Sequence, residues 1–174
     1  MANIILASQS PRRKQLLEWA EIDFEIMVAQ TDESFPKGIS PEEAALHIAR
    51  EKAEAVAVNV KGKTIIAADT IVVMGNRIIG KPRDREDAIQ ILSELSGRKH
   101  QVITGVCILK GEERTLFADI TEVEFHPLTQ EQISFYVDKY QPFDKAGAYA
   151  IQEWIGVVGI KSIHGDFYNV MGLP

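Results

Sequence analysis

The chain has 174 residues, 45% of them apolar, and a formal net charge of −6. That length is the size of one well-filled domain. The acidic balance argues against duplex DNA or RNA as the main partner, because such binding draws on net or strongly clustered positive charge. No apolar stretch approaches the roughly 20 residues of a membrane span. A single cysteine, Cys107, lies inside the apolar run Val102 to Leu109, so no intrachain disulfide can form and a buried small hydrophobe is its expected role. The amino terminus reads as a strand followed by an arginine pair rather than as a signal peptide. The expectation is a soluble cytoplasmic protein with no nucleic-acid or membrane partner.

Ile4 to Ala7 reads as a buried strand, Ser10 as an N-cap and Pro11 as the first residue of a helix reaching about Trp19. Arg12 and Arg13 then fall in the first helical turn, where the macrodipole already places roughly half a positive charge, so two cations there call for an anion. Free backbone N–H groups, the hydroxyls of Ser8 and Ser10 and two forked guanidiniums would make a polyphosphate cradle without a Walker motif. A solvated basic helix face is the competing reading.

Phe24 to Ala29 is predicted as a second strand, and Thr31 to Gly38 as a polar loop holding Asp32 and Glu33. Ser40-Pro41-Glu42-Glu43 has the spacing of a capping box and opens a long helix to about Asn59. Thr64 to Ala68 is strand-like and leads into Asp69-Thr70. Ile71 to Met74, the turn pair Gly75-Asn76 and Arg77 to Ile79 give a hairpin signal. A helix is expected from about Asp84 to Leu95, then long strands over Lys99 to Leu109 and Thr115 to Phe125. Thr129 and Gln132 cap a helix to about Lys139, and the remainder reads as short strands and turns. Interleaved helices and strands favour an α/β layered fold, and the hairpins make its sheet mixed.

Several charged residues stand in awkward places. Lys52 shares a helical stripe with Ala45, Ile48, Ala49 and Val56, so its ammonium must either snorkel or meet an anion. Asp69 is read as ending an apolar strand, where ligand sites of α/β sheets gather, although an Asp-Thr pair also suits an ordinary turn. Lys81, between Gly80 and Pro82, is either a site residue or a surface lysine. Cations together with the carboxylates Glu33 and Asp69 suit nucleotide polyphosphate chemistry, since Mg²⁺ prefers carboxylate and phosphate oxygens while lysines and arginines neutralise the remaining charge. His47, His100, His126 and His164 are scattered without a His-Glu-x-x-His pattern, and no Gly-x-Ser-x-Gly elbow is present.

Five segments carry a resemblance. Ser8-Gln9-Ser10-Pro11-Arg12-Arg13, Thr31-Asp32-Glu33, Ala67-Ala68-Asp69-Thr70, Gly80-Lys81-Pro82 and Asp144-Lys145-Ala146-Gly147-Ala148-Tyr149-Ala150-Ile151-Gln152 resemble, in order, the motifs of the Maf family of nucleoside triphosphate pyrophosphatases. The closing Tyr168-Asn169-Val170-Met171-Gly172-Leu173-Pro174 extends it. The resemblance implies an α/β fold related to inosine triphosphate pyrophosphatases, with an elongated mixed sheet flanked by helices and two lobes around a central cleft, as one domain over residues 1–174. It implies hydrolysis of a nucleoside triphosphate to the monophosphate and pyrophosphate, with a divalent cation, Mg²⁺ or Mn²⁺, and a homodimer.

Carried over by motif, Asp69 would be the proton acceptor and, with Glu33, a metal ligand. Arg13, Lys52 and Lys81 would bind phosphate, Lys52 and Lys81 as catalytic cations, and Ser8 would line the substrate site. Arg12, Thr70 and Gln152 match the branch acting on dTTP and UTP rather than the one acting on 7-methyl-GTP. Two departures stand out: Glu153-Trp154-Ile155 follows the glutamine where many relatives carry small residues, and the chain stops at Pro174 where relatives often continue into a short helix. A nucleotide-binding regulator of septum formation without turnover, and a pyrophosphatase for CTP or modified pyrimidine nucleotides, are the alternatives.

Overall fold

In the computed structural model, which describes residues 2–174, side-chain caps set the start of each long helix. Helix α1 (Pro11–Trp19) begins where the Ser10 hydroxyl accepts from the Arg13 backbone N–H. Helix α2 (Pro41–Ala57) opens with a reciprocal box, Ser40 Oγ accepting from Glu43 N at 3.1 Å and Glu43 Oε2 from Ser40 N at 2.7 Å. Asp84 caps α3 (Arg85–Leu95), and Thr129 with Gln132 forms a second box at α4 (Gln130–Tyr140). Each cap satisfies N–H groups that have no partner within the helix.

Strand β1 (Ile4–Leu6) pairs in parallel with β2 (Glu25–Ile26) and with β3 (Thr64–Met74). Strand β4 (Arg77–Ile79) folds back antiparallel onto β3 across Gly75-Asn76, the hairpin expected from that pair. Strands β5 (Lys99–Lys110) and β6 (Glu113–Phe125) follow, with β7 (Ile160–His164) antiparallel on β6. Among the described residues this is one seven-stranded sheet of order β2-β1-β3-β5-β6-β7, with β4 on β3. The sheet is mixed, as expected.

Three local expectations are corrected. The second strand is two residues long rather than six: it lies at the sheet edge, paired on one side only, and Met27 and Val28 beyond it are exposed. Strand β3 does not stop before Asp69 but runs on through Asp69 and Thr70 to Met74. The last segment carries more helix than strand: a 3₁₀ turn at Ala146–Ala148, α5 (Trp154–Gly159) and α6 (Phe167–Met171) flank the lone strand β7. Helix α5 forms despite strand-favouring Ile155, Val157 and Val158, and Gly156 within it leaves room for the Ile151 carbonyl oxygen, which a Cβ there would meet at 1.7 Å.

The chain divides into two compact units. The first comprises Met1–Thr70, Thr104–Asp119 and Gly172–Pro174. Its core joins Ile5, Ala7, Ile65 and Ala67 to Ala49, Ala53 and Val56 of α2 and to Cys107 and Leu109. Cys107 is buried as expected, and that burial raises its thiol pKa. Helix α2 lies directly on β5 because Gly105 has no side chain: a Cβ there would sit 2.5 Å from the Ala45 carbonyl carbon.

The second unit comprises Ile71–Ile103 and Ile120–Met171. Leu92 and Leu95 of α3 and Ile133, Tyr136 and Val137 of α4 fill its centre, beside a buried trio of His100, Phe125 and Tyr149. His100 stacks on Phe125 at 5.6 Å between ring centres, and its Nε2 shares a 2.6 Å hydrogen bond with the Tyr149 hydroxyl. Burial holds the imidazole pKa down at about 4 and raises that of the phenol.

Replacing Gly105 with alanine should force α2 off the sheet and cost about 2 kcal/mol or more. Urea denaturation checks this, and a midpoint equal to that of the parent would contradict the close contact. His100 carries a pH signature of definite sign. Between its unfolded value near 6.5 and its folded value near 4, the unfolded chain binds a proton that the folded chain refuses, so stability falls as pH drops through that window. The loss attributable to His100 between pH 6.5 and 5 is about 1.5 kcal/mol. In His100→Gln that part of the slope should be missing from denaturation curves at the two pH values.

Candidate active site

Lys52 reaches an anion rather than solvent. The apolar stripe of α2 buries Ala45, Ile48, Ala49, Ala53 and Val56, and the Lys52 side chain beside it is only 15% exposed. Its Nζ lies 2.9 Å from Asp69 Oδ1 on β3 and 2.8 Å from Glu33 Oε1 in the loop after β2. The same bond explains why β3 passes through Asp69: a half-buried carboxylate with a charged partner needs no exit to solvent. Three sequence candidates from three distant segments thus meet within one ammonium's reach.

A second cluster surrounds Arg13, whose side chain is buried. Its Nε donates to the Gly172 carbonyl at 2.7 Å, one terminal nitrogen to Ser8 Oγ at 3.2 Å and the other to Thr70 Oγ1 at 3.0 Å. Thr70 Oγ1 also lies 2.8 Å from the Thr104 hydroxyl. Burial lowers the guanidinium pKa to about 10, a drop that Asp69 and Glu33 counter and Arg12 reinforces, so Arg13 keeps its charge at neutral pH. With three donors of its planar fork engaged, Arg13 acts as a frame that fixes Ser8 and Thr70. Arg12, next to it, is half-buried. Ser8, Arg12, Arg13, Glu33, Lys52, Asp69 and Thr70 all belong to the first unit.

Lys81 and Gln152 belong to the second unit and are both exposed. Lys81 follows β4 and lines a cavity of about 280 Å³ with Arg77, Arg83, Asp87 and Glu94 among others. The neighbouring Gly80 carbonyl accepts from Gly147 N at 3.2 Å, which ties the lysine's loop to the Asp144–Gln152 segment. Gln152 sits in the turn between Ala150 and α5.

The donors of the first cluster fit a hard divalent cation. One ammonium between two carboxylates leaves a formal surplus of one negative charge, and carboxylate oxygens are the ligands such ions prefer. Among the described residues no group of three or more His, Cys, Asp or Glu is placed to hold a metal ion. A cation held by Glu33 and Asp69 would complete its shell with phosphate oxygens and water, the usual habit of Mg²⁺. The sequence motifs give no role to Thr104, Tyr136, Lys145 or Glu153, although Lys145 lies within the resembling segment and Glu153 in the departure that follows it. The first hides in an apolar strand, and the others bond to one another across gaps of 8 to 17 residues that no periodicity reveals.

A structure of the Staphylococcus aureus Ham1 protein superposes with a TM-score of 0.50 at 20% identity, covering 89% of this chain and 90% of the other. That likeness bears out the expected α/β fold. A protein of Bacteroides thetaiotaomicron named dTTP/UTP pyrophosphatase is 49% identical over 173 residues, covering 98% of this chain and 90% of the relative. A protein of the same name from Cytophaga hutchinsonii is 52% identical over 172 residues, covering 99% of this chain and 79% of the relative. The family model described as Maf-like protein matches residues 3–174. With its motifs in register and that match over nearly its whole length, the chain belongs to the Maf family.

Proposed function

We propose that the chain is a nucleoside triphosphate pyrophosphatase that cleaves dTTP and UTP between the α and β phosphates, giving the monophosphate and pyrophosphate. The observation that carries this reading is the meeting of Glu33, Lys52 and Asp69 within 2.9 Å contacts. The names of the Bacteroides and Cytophaga relatives, together with Arg12, Thr70 and Gln152, support the pyrimidine substrate. Residues 1–174 are read as one pyrophosphatase domain and the working form as a homodimer.

In this mechanism the Asp69 carboxylate takes the proton of the attacking water as the phosphoanhydride bond breaks. Glu33 and Asp69 would hold a divalent cation, Mg²⁺ or Mn²⁺, which when bound acidifies coordinated water and draws charge from the phosphate oxygens. Ser8, Arg12 and the N-terminal turn of α1 receive the polyphosphate, with the buried Arg13 fixing the hydroxyls of Ser8 and Thr70. Lys52 and Lys81 offset the charge of the departing pyrophosphate. Gln152 offers an amide donor and acceptor to the imide edge of thymine or uracil.

The test is pyrophosphate release with Mg²⁺ or Mn²⁺ against dTTP, UTP, CTP, GTP, 7-methyl-GTP and ITP. Preferential cleavage of dTTP and UTP is expected, lost on chelation and restored by adding the metal back. Asp69→Asn should lower turnover about 10²- to 10⁴-fold while the thermal midpoint stays close to that of the parent. Turnover retained in that variant would remove Asp69 from the role of base. Gln152→Ala should reduce the preference for dTTP over GTP more than it reduces hydrolysis as a whole, and an unchanged ratio would end its assignment to the base.

A further inference from the structure

The departure Glu153-Trp154 that follows the glutamine has a structural role on both of its residues. Tyr136 of α4 is fully buried, yet its hydroxyl has two partners in the turn that carries Gln152. It donates to Glu153 Oε2 at 2.5 Å and accepts from the Ala150 backbone N–H at 3.1 Å. One phenol therefore holds the turn on either side of Ile151-Gln152. Glu153 is itself placed by the Lys145 ammonium at 3.7 Å, a side chain only 10% exposed that also pairs with Asp144 at 2.9 Å. Trp154 packs edge-on against Phe135, the neighbour of Tyr136 on α4, with 4.9 Å between ring centres.

We propose that Tyr136 and Glu153 are positioning residues for substrate specificity, holding Gln152 in the orientation that reads the pyrimidine. This rests on the reading of Gln152 as the base-recognising residue. The physical reason is cost: an exposed glutamine on an untethered turn would lose rotamer and backbone freedom on meeting a base, whereas a turn held at Ala150 and Glu153 has already given up most of it. A charge-assisted hydrogen bond inside the unit makes the clamp stiffer than a neutral surface contact. Glutamate at position 153 thereby does what a small residue there cannot.

The experiment measures kcat and KM for dTTP and GTP, with inorganic tripolyphosphate as a competitor that has no base. Tyr136→Phe and Glu153→Ala are each expected to raise KM for dTTP about tenfold with kcat within about twofold, leaving the tripolyphosphate inhibition constant unchanged. Glu153→Gln, which keeps an acceptor for the phenol, should restore most of the dTTP preference. In a Gln152→Ala background, Tyr136→Phe should add nothing to the loss. If Gln152→Ala lowers the dTTP:GTP ratio while Tyr136→Phe and Glu153→Ala leave it intact, the clamp is overturned and the base reading stands. If Gln152→Ala itself leaves the ratio intact, both fall. Additive losses in the double variant also overturn the clamp. Should Tyr136→Phe fail to fold, the pair of variants at Glu153, whose side chain is 23% exposed, decides the matter alone, and equal behaviour of Glu153→Ala and Glu153→Gln would count against the proposal.

Discussion

A buried guanidinium is the constraint around which the first unit is arranged. Removing the Arg13 charge from water is costly, and the chain meets that cost by sending acceptors from three separate stretches: Ser8 beyond β1, Thr70 on β3 and the carbonyl of Gly172. Because those acceptors are scattered through the sequence, satisfying one side chain also sets how the start of α1, the centre of β3 and residues 172–174 lie against one another. The hydroxyls near the α1 N-terminus are consequently fixed before any ligand arrives, which is the preorganisation that polyphosphate recognition rewards.

The Lys52 cluster follows the same physics with less burial. Its ammonium is held by two carboxylates, one on a strand and one in a loop, and α2 can deliver it there because Gly105 lets helix and strand touch at the backbone. Packing and charge are thus linked: the alanines of α2 bring the lysine close, and the carboxylates give it a reason to stay. In the second unit Glu153 is held by one phenol and one ammonium, so a polar network organises the turn where the apolar core ends.

Much of this was legible in the chain. Helix starts could be read because capping is a local interaction between residues three apart, and each of the caps read at Ser10, Ser40 and Thr129 is present. The Gly75-Asn76 hairpin was legible for the same reason. The run through Asp69 was not, since only the arrival of Lys52, 17 residues away, makes a carboxylate tolerable inside a strand. Nor was the helical character of Trp154–Gly159, whose valines and isoleucine favour strand.

Composition and motif order are enough to settle the class of the molecule, and the places where helices begin follow from caps that act over a few residues. Tertiary structure alone decided what the charged residues do: that Lys52 meets Asp69 and Glu33, that Arg13 is a buried frame, and that Tyr136 grips the turn of Gln152. The reason is that an ion pair or a buried hydrogen bond depends on distance and desolvation, and both come into being only when segments far apart in the chain are packed together.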